Sequence, residues 1–388
     1  MHPKEAKKEA KKISDWIIKI RRELHRHPEL MYEEFKTSEL VRRELDKLDI
    51  PYESPIAKTG VLGTIGNGNG PCVALRADMD ALPIHEETDV PFKSEIYGKM
   101  HACGHDAHVA VLMGVAEFLA KNRRFLKGNV LLIFQPAEEG APEGEGGGAK
   151  MMLAEGLFER YSPEVVFGMH VANIQHGYVF LKPGPAMAAS SAYRIKIKGV
   201  QSHGSRPWDG IDPIMATAQL ISALNTVVSR RINIINNPAV VSVGIVKAGT
   251  RNNIIPEDAE IIGTIRTFDP ELRAEIYDEI RQIAKGIAVG TGTKITVEFD
   301  FSGFYPVTVN DPELYQAMKA SLVEATKGKF VEWKDPITGA EDFSFFAQEV
   351  PGLYFSLGVN KKGVTELQPG NHSPYFTVDD DALDEGLK

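Results

Sequence analysis

The ten residues MHACGHDAHV, Met100–Val109, hold three histidines, a cysteine and an aspartate. Imidazole, thiolate and carboxylate are the side chains that bind divalent transition metals, so the stretch reads first as part of a metal centre. His101 and His105 have the four-residue spacing of helical H-E-x-x-H zinc sites. Ala102 stands where that motif has its glutamate, and Gly104 weakens a helix there, so that reading fails. What remains is a C-x-H pair, Cys103 and His105, in a loop ahead of a helix. A thiolate and an imidazole both suit zinc, at about 2.3 and 2.0–2.1 Å. His101 and His108 read as packing residues or supports of the true ligands.

Two donors do not make a site. Others follow apolar runs elsewhere: Glu139 after NVLLIFQPA, His170 after EVVFGM, and His372 in NHSPYF. Five donors exceed the needs of one four-coordinate ion. Two ions about 3.5–4 Å apart, sharing one ligand, would use them economically. A carboxylate or a thiolate sulfur can bridge. Glu138 beside Glu139 fits a hydrolase, which needs one carboxylate on the metal and another to take a proton from the attacking water.

Elements must carry these groups to one place. Ile13, Trp16, Ile17, Ile20 and Leu24 fall at helical spacing, and Pro28 ends the run. TSELVRRELDKL is a second helix, and VAVLMGVAEFLAKN a helix apolar on most sides. Val73–Leu75 and the apolar runs in NVLLIFQPAEEG, PEVVFGMHVANI and GLYFSLGV read as buried strands of the kind found inside parallel sheets. Strands alternating with helices predict an α/β domain. Asp78, Asp80, Glu138, Glu139 and His170 lie at or beyond strand ends, the edge where open α/β sheets bind ligands. The middle reads β-α-β-β-α-β, the ferredoxin-like order. We therefore expect a catalytic α/β domain built from residues 1–184 and 300–388, with a separate domain, 185–299, inserted in it. His203 sits in a Gly/Ser-rich turn of the insert. Asn253 and Arg266 lie further along it, Arg266 as either a surface residue or a carboxylate clamp.

A net charge of -9 excludes a nucleic-acid binder, which needs a basic field. Cys72 and Cys103 are the only cysteines, too few for a disulfide framework, so a reducing, cytoplasmic setting is expected. The start has no apolar signal-peptide core, and no run is long enough to span a membrane. Cys72 reads as a core residue, whereas His2, His25, His27, His85 and His176 read as solvated. The Gly-rich stretch after Glu139 lacks a phosphate-loop ending, and its Glu143 and Glu145 also read as solvated. A metal-binding scaffold is disfavoured by the adjacent glutamates. A phosphoesterase is disfavoured by the lack of clustered cations.

LHRHPEL, ALRADMDALP, MHACGHDAHVAVLMG, FQPAEEG, GMHV, SHGSRPWDGIDPI, NIIPEDAEIIGTIRTFD, TGAEDFSFF and NHSPYF occur in this order. Together they closely resemble the amidohydrolase branch of the dinuclear zinc metallopeptidases related to aminoacylase. That branch includes N-acyl-amino-acid amidohydrolases, hippurate hydrolases, auxin-conjugate hydrolases and thermophilic carboxypeptidases. The resemblance covers nearly the whole chain. It implies a zinc-peptidase-like mixed sheet flanked by helices, with an inserted ferredoxin-like lid domain that dimerises, giving a homodimer or a dimer-based tetramer. It implies two divalent ions, Zn²⁺ with Co²⁺ or Mn²⁺ as substitutes, held by Cys103 as bridge with His105, Glu139, His170 and His372. Glu138 would be the general base and Asp80 the residue that orients a ligand histidine. His203 would reach a neighbouring subunit's site and steady the oxyanion, while Asn253 and Arg266 would hold the substrate carboxylate. The implied reaction is hydrolysis of an N-acyl-L-amino acid, with removal of C-terminal residues from short or N-blocked peptides as the alternative.

Overall fold

Four strands with one direction dominate the centre of the molecule, and their order explains where the chemistry collects. The computed structural model describes residues 3–387 except 67, 236, 365 and 367, with side chains from Ile13 onward, so His2 lies outside it. Strand Cys72–Asp78 runs parallel to Asn129–Gln135 on one side and to Val165–Ala172 on the other. Val165–Ala172 is in turn parallel to Gly352–Gly358. Antiparallel neighbours extend this core into an eight-stranded mixed sheet. The apolar runs read from the sequence are these inner strands. Leu131, Leu132, Ile133 and Phe134 are all fully buried, because both faces of the sheet are covered.

On one face pack helices Pro3–Arg26, Phe35–Lys47 and His105–Lys121, around Ile17, Val41, Val109 and Met113. On the other face pack the shorter helices Gly148–Ala154, Leu157–Tyr161 and Phe343–Glu349, around Met152, Leu157 and Phe346. The predicted mixed α/β class is therefore the observed one.

The middle of the chain forms its own four-stranded antiparallel sheet, from Ala189–Lys198, Ala239–Ala248, Asp258–Thr267 and Lys294–Tyr305. Helices Pro213–Thr226 and Pro270–Thr291 cover one face and enclose a separate core of Tyr193, Ile195, Leu220, Ile261, Ile276 and Ile280. Both helices start at an Asp-Pro pair. Asp212 and Asp269 accept hydrogen bonds from the first backbone N–H groups, and proline stands where no donor is needed. The same device at Asp311–Pro312 starts helix Pro312–Thr326.

The last strand of this sheet runs on to Tyr305, beyond Phe299. Between Phe299 and Phe304 it takes five residue steps where its neighbour takes two, Tyr193 to Ser191. The surplus residues loop out as a bulge, with Asp300 and Gly303 at positive φ.

His105 is not in a loop. It is the first residue of helix His105–Lys121, and Gly104 is the residue before it, at φ 88°. Glycine is required twice over there. The left-handed backbone disfavours any Cβ, and a Cβ would lie 2.3 Å from Val171 Cγ2. Gly104→Ala is expected to destabilise the protein by at least about 1–2 kcal/mol and to weaken metal binding, because Cys103 and His105 flank the distorted residue. Thermal unfolding and metal content after dialysis check this; wild-type values for both would contradict it.

Candidate metal centre

Each inner strand releases its polar groups at the same edge. Strand Asn129–Gln135 ends at Pro136, and Ala137 then turns through a positive φ of 50°. That turn is fixed by two bonds. Ala137 N–H donates to Glu34 Oε1 at 2.9 Å, and its carbonyl accepts from Gly148 N–H at 3.0 Å. Glu138 and Glu139 therefore leave the sheet in a set direction. Asp80, just past strand Cys72–Asp78, accepts from Glu139 N–H at 3.0 Å and faces His105 Nδ1 at 3.1 Å. One carboxylate thus orients both the histidine and the glutamate.

His170 lies within strand Val165–Ala172. Its Nδ1 donates to the Val171 carbonyl at 2.7 Å, leaving Nε2 towards Cys103 Sγ at 3.3 Å. Burial holds its pKa down at about 3, so the ring is neutral with a free lone pair. His372 arrives on the loop after strand Gly352–Gly358 with φ 68°, its N–H donating to the Ala102 carbonyl at 2.8 Å. Its Nε2 lies 3.1 Å from Glu139 Oε1. Asn371 clamps this arrangement by donating to the Cys103 and Val171 carbonyls, at 3.0 and 3.1 Å.

Donor atoms of Cys103, His105 and His170 lie within 4.8 Å of one another, as do those of Cys103, Glu139 and His372. Cys103 belongs to both groups. His105 Nε2 is buried without a hydrogen-bond partner, as expected of an atom reserved for a cation. The donor set fits two borderline divalent ions. His108 is excluded as a donor, because its Nδ1 bonds Asp78 and its Nε2 accepts from Val171 N–H at 2.8 Å. His101 is buried, and burial lowers its pKa to about 3.

Beneath the donors is a network that sequence reasoning missed. Fully buried Arg76 pairs with Asp78 at 2.6 Å, Glu341 at 2.9 Å and Asp342 at 2.8 Å, and also donates to Gln135 at 2.8 Å. The signal was present as an arginine in the middle of an otherwise apolar inner strand. Glu138 is buried against this network, with its Oε1 3.4 Å from Asp342 N–H. Burial, then Glu341 and Glu139, push the Glu138 pKa well above the ordinary carboxylate range. His25, read as solvated, is instead buried on the same helix face as Arg21. It bonds Asp106 at 2.9 Å and Glu86 at 3.2 Å. Glu143 and Glu145 are exposed, as read from the sequence, and make surface ion pairs with Arg194 and Lys58.

The three insert residues do not gather. His203, on the short strand Ser202–His203, pairs in register with Ile254, so Asn253 lies beside it. Arg266 is opposite Ser190, at the other end of strand Asp258–Thr267. Eight residue steps at about 3.3 Å separate Asp258 from Arg266, roughly 26 Å of strand. Within one chain, His203 and Asn253 stand apart from Arg266. Arg266 is half-buried, and its Nη1 bonds Thr264 Oγ1 and the Ile265 carbonyl.

A fold with ligands at the carboxyl edge of a parallel sheet, and with acidic, imidazole and thiolate donors in two overlapping groups, defines a metal-dependent hydrolase. Residues 74–388 match the peptidase family M20/M25/M40, and the chain belongs to that family. It is 43% identical over 383 residues to thermostable carboxypeptidase 2 of Saccharolobus solfataricus, covering 98% of this chain and 95% of that one. It is 42% identical over 370 residues to the N-acetylcysteine deacetylase of Bacillus subtilis, covering 95% and 93%. The crystal structure of the Bacillus subtilis YXEP protein, described as a dinuclear metal binding peptidase, superposes with a TM-score of 0.79 at 37% identity. That match covers 97% of this chain and 96% of that one. The resemblance drawn from the motifs is thereby confirmed, and the protein is an enzyme that hydrolyses amide bonds.

The titrations give a test of cation dependence. Burial pushes the Asp342 carboxyl up to about 8, Arg76 opposing and Glu341 adding to the rise. Burial lowers the His105 pKa, but Asp78, Asp80 and Glu139 outweigh it and raise it to about 10. Both groups hold more protons folded than unfolded, so metal-free stability must fall as pH rises through these windows. The metal-free protein should unfold at a lower temperature near about pH 8 than near about pH 5, and added Zn²⁺ should restore it at the higher pH. A metal-free protein that gains stability over that range would contradict the assignment.

Proposed function

We propose that the protein hydrolyses N-acyl-L-amino acids, releasing the free amino acid and a carboxylate. The observation that carries this is the meeting of two donor groups at Cys103 with the Glu138 carboxyl buried beside them. In this reading Cys103, His105, Glu139, His170 and His372 hold two divalent ions, Zn²⁺ by preference and Co²⁺ or Mn²⁺ as substitutes. When bound, the ions supply a more acidic water and polarise the scissile carbonyl.

The chain's own residues do the rest. Asp80 fixes the His105 ring, leaving Nε2 as its donor atom. Glu138 takes the proton from water and returns it to the leaving nitrogen. Its raised pKa suits a group that must carry that proton between the two sites. Arg266 clamps the substrate carboxylate with its guanidinium fork, which fixes the register of attack. His203 donates to the oxyanion, and Asn253 joins it in holding the substrate.

The strand-length separation of Arg266 from His203 and Asn253 supports a site completed by a second subunit. The edge strand Ala239–Ala248 leaves Val240, Ile245 and Val246 exposed, and helix Pro213–Thr226 leaves Ile214 and Met215 exposed. Pairing two such edges would cover them, so we assign a homodimer, with a dimer-based tetramer as its extension. No helix among the described residues is long and apolar enough to cross a membrane. A cytoplasmic setting is the natural one for a site that needs Cys103 reduced, and both cysteines are free.

A second reading, a carboxypeptidase acting on short or N-blocked peptides, is favoured by the similarity to the Saccharolobus carboxypeptidase. It uses the same groups on the leaving side and differs only in the acyl half. A panel of N-acyl amino acids, blocked dipeptides and a phosphoester separates these readings.

Glu138→Gln should keep the metal and the fold while lowering kcat by about 10²–10⁴-fold; near-normal turnover would remove Glu138 as the base. Mixing Glu138→Gln with His203→Ala subunits should recover activity in hybrid dimers. Failure to recover despite demonstrated subunit exchange would place His203 in its own chain's reaction.

A further inference from the structure

A cavity of about 440 Å³ lies between the open face of the four-stranded sheet and the Gly-rich stretch that follows Glu139. Its inner end is Glu139 and Tyr305, whose hydroxyl donates to the Glu138 carbonyl. Its roof is Ser190, Ala192 and Thr264. These share one sheet face with Arg266, since Ser190 pairs with Arg266 and Ala192 with Thr264. The bulge between Phe299 and Phe304 forms its side wall. That wall is braced from behind. Asp300 accepts from Tyr277 at 2.9 Å, and Arg194 stacks 3.7 Å from the Phe301 ring while reaching Glu143 across the cleft at 3.2 Å.

Geometry decides what enters. The carboxylate and the side chain of an amino acid hang from the same carbon, so whatever holds one sets the direction of the other. Arg266 bonds Thr264 in the cavity roof, so a carboxylate on Arg266 places the side chain at the cavity mouth. The lining supplies hydroxyls from Ser190, Thr264 and Ser302 and ring faces from Phe304 and Phe345. Of its acidic groups, Glu145 is paired with Lys58 and Glu139 faces His372, while Asp300 accepts from the Tyr277 hydroxyl and keeps its charge. Lys150, which also lines the cavity, has no ion-pair partner among the described residues.

We propose that this cavity is the subsite for the side chain of the released amino acid and that Lys150 biases it towards acidic side chains. The proposal rests on the reading of Arg266 as the carboxylate clamp. Asp300–Gly303 then acts as a specificity element. It narrows a space that would otherwise open to solvent, and its brace to Arg194 and Glu143 ties the wall to the stretch that carries Glu139.

The test compares kcat/KM for N-acetyl-glutamate, N-acetyl-lysine, N-acetyl-phenylalanine and N-acetyl-alanine on the metal-loaded enzyme. The unaltered protein should prefer the glutamate over the lysine substrate. Lys150→Glu should lower that preference by about tenfold or more, as expected for reversing one charge beside another in a partly wet cleft. Ser302→Trp, on the exposed bulge, should lower the glutamate and phenylalanine substrates relative to alanine, because a larger wall crowds long side chains of either kind. Ratios unchanged in both variants, with N-acetyl-alanine still hydrolysed, would overturn the subsite. Absence of turnover of every N-acetyl amino acid by the unaltered, metal-loaded protein would instead overturn the proposed function.

Discussion

The surplus of buried negative charge at one sheet edge constrains everything around it. Asp78, Asp80, Glu138, Glu341 and Asp342 are all buried there, and Glu139 nearly so, while Arg76 is the guanidinium that meets three of them. Burying carboxylates costs several kcal/mol each unless charge or hydrogen bonds offset it. Arg76 offsets part of that cost, and backbone N–H groups at Glu139 and Asp342 offset more. The remainder calls for protons or cations. The raised Glu138 and Asp342 pKa values are the proton answer, and the donors around Cys103 are the cation answer. A buried carboxylate short of positive partners has reason to accept a proton, which is what the general-base role proposed for Glu138 requires.

That edge exists because four strands run in one direction, so their carboxyl ends release Asp80, the Glu138–Glu139 pair and His170 together. The remaining donors are brought to it. Gly104 turns the chain so that Cys103 and His105 face inward, and Asn371 ties the His372 loop to the carbonyls of Cys103 and Val171. The inserted sheet plays a different part. One end holds Arg266 beside the cavity roof, next to Glu139, and the other end carries His203 and Asn253 away. The insert thus separates the residues proposed to bind substrate, which is the geometric support for the proposed partner subunit.

Much of this was legible in the residues. The inner strands announced themselves as short apolar runs, and the donors followed them at their ends, so the edge could be located before any coordinates. The βαββαβ order of the insert was readable from alternation and from the Asp-Pro helix start. What was not legible depended on which face a polar residue takes. Arg76 sits mid-strand and its three acidic partners come from distant segments, so spacing alone does not join them. His25 looked like a loop histidine near Pro28, yet it is four residues from Arg21 and on the buried face with Ile17 and Leu24. Glu143 and Glu145 are solvated as read, but their surface partners Arg194 and Lys58 come from distant segments that only the fold brings near. Gly104 misled in the other direction. It weakens a helix in its interior, but here it stands just outside one, where its left-handed backbone lets His105 begin the helix.

The central claim is that Cys103 lies between two ions at this edge. Its most direct measurement is a titration of the metal-free protein with Co²⁺, followed by the near-ultraviolet charge-transfer absorption of a cobalt–thiolate bond. The account predicts that absorption, built up over two equivalents per chain and absent from Cys103→Ser. Saturation at one equivalent, or cobalt binding without a thiolate band, would contradict it.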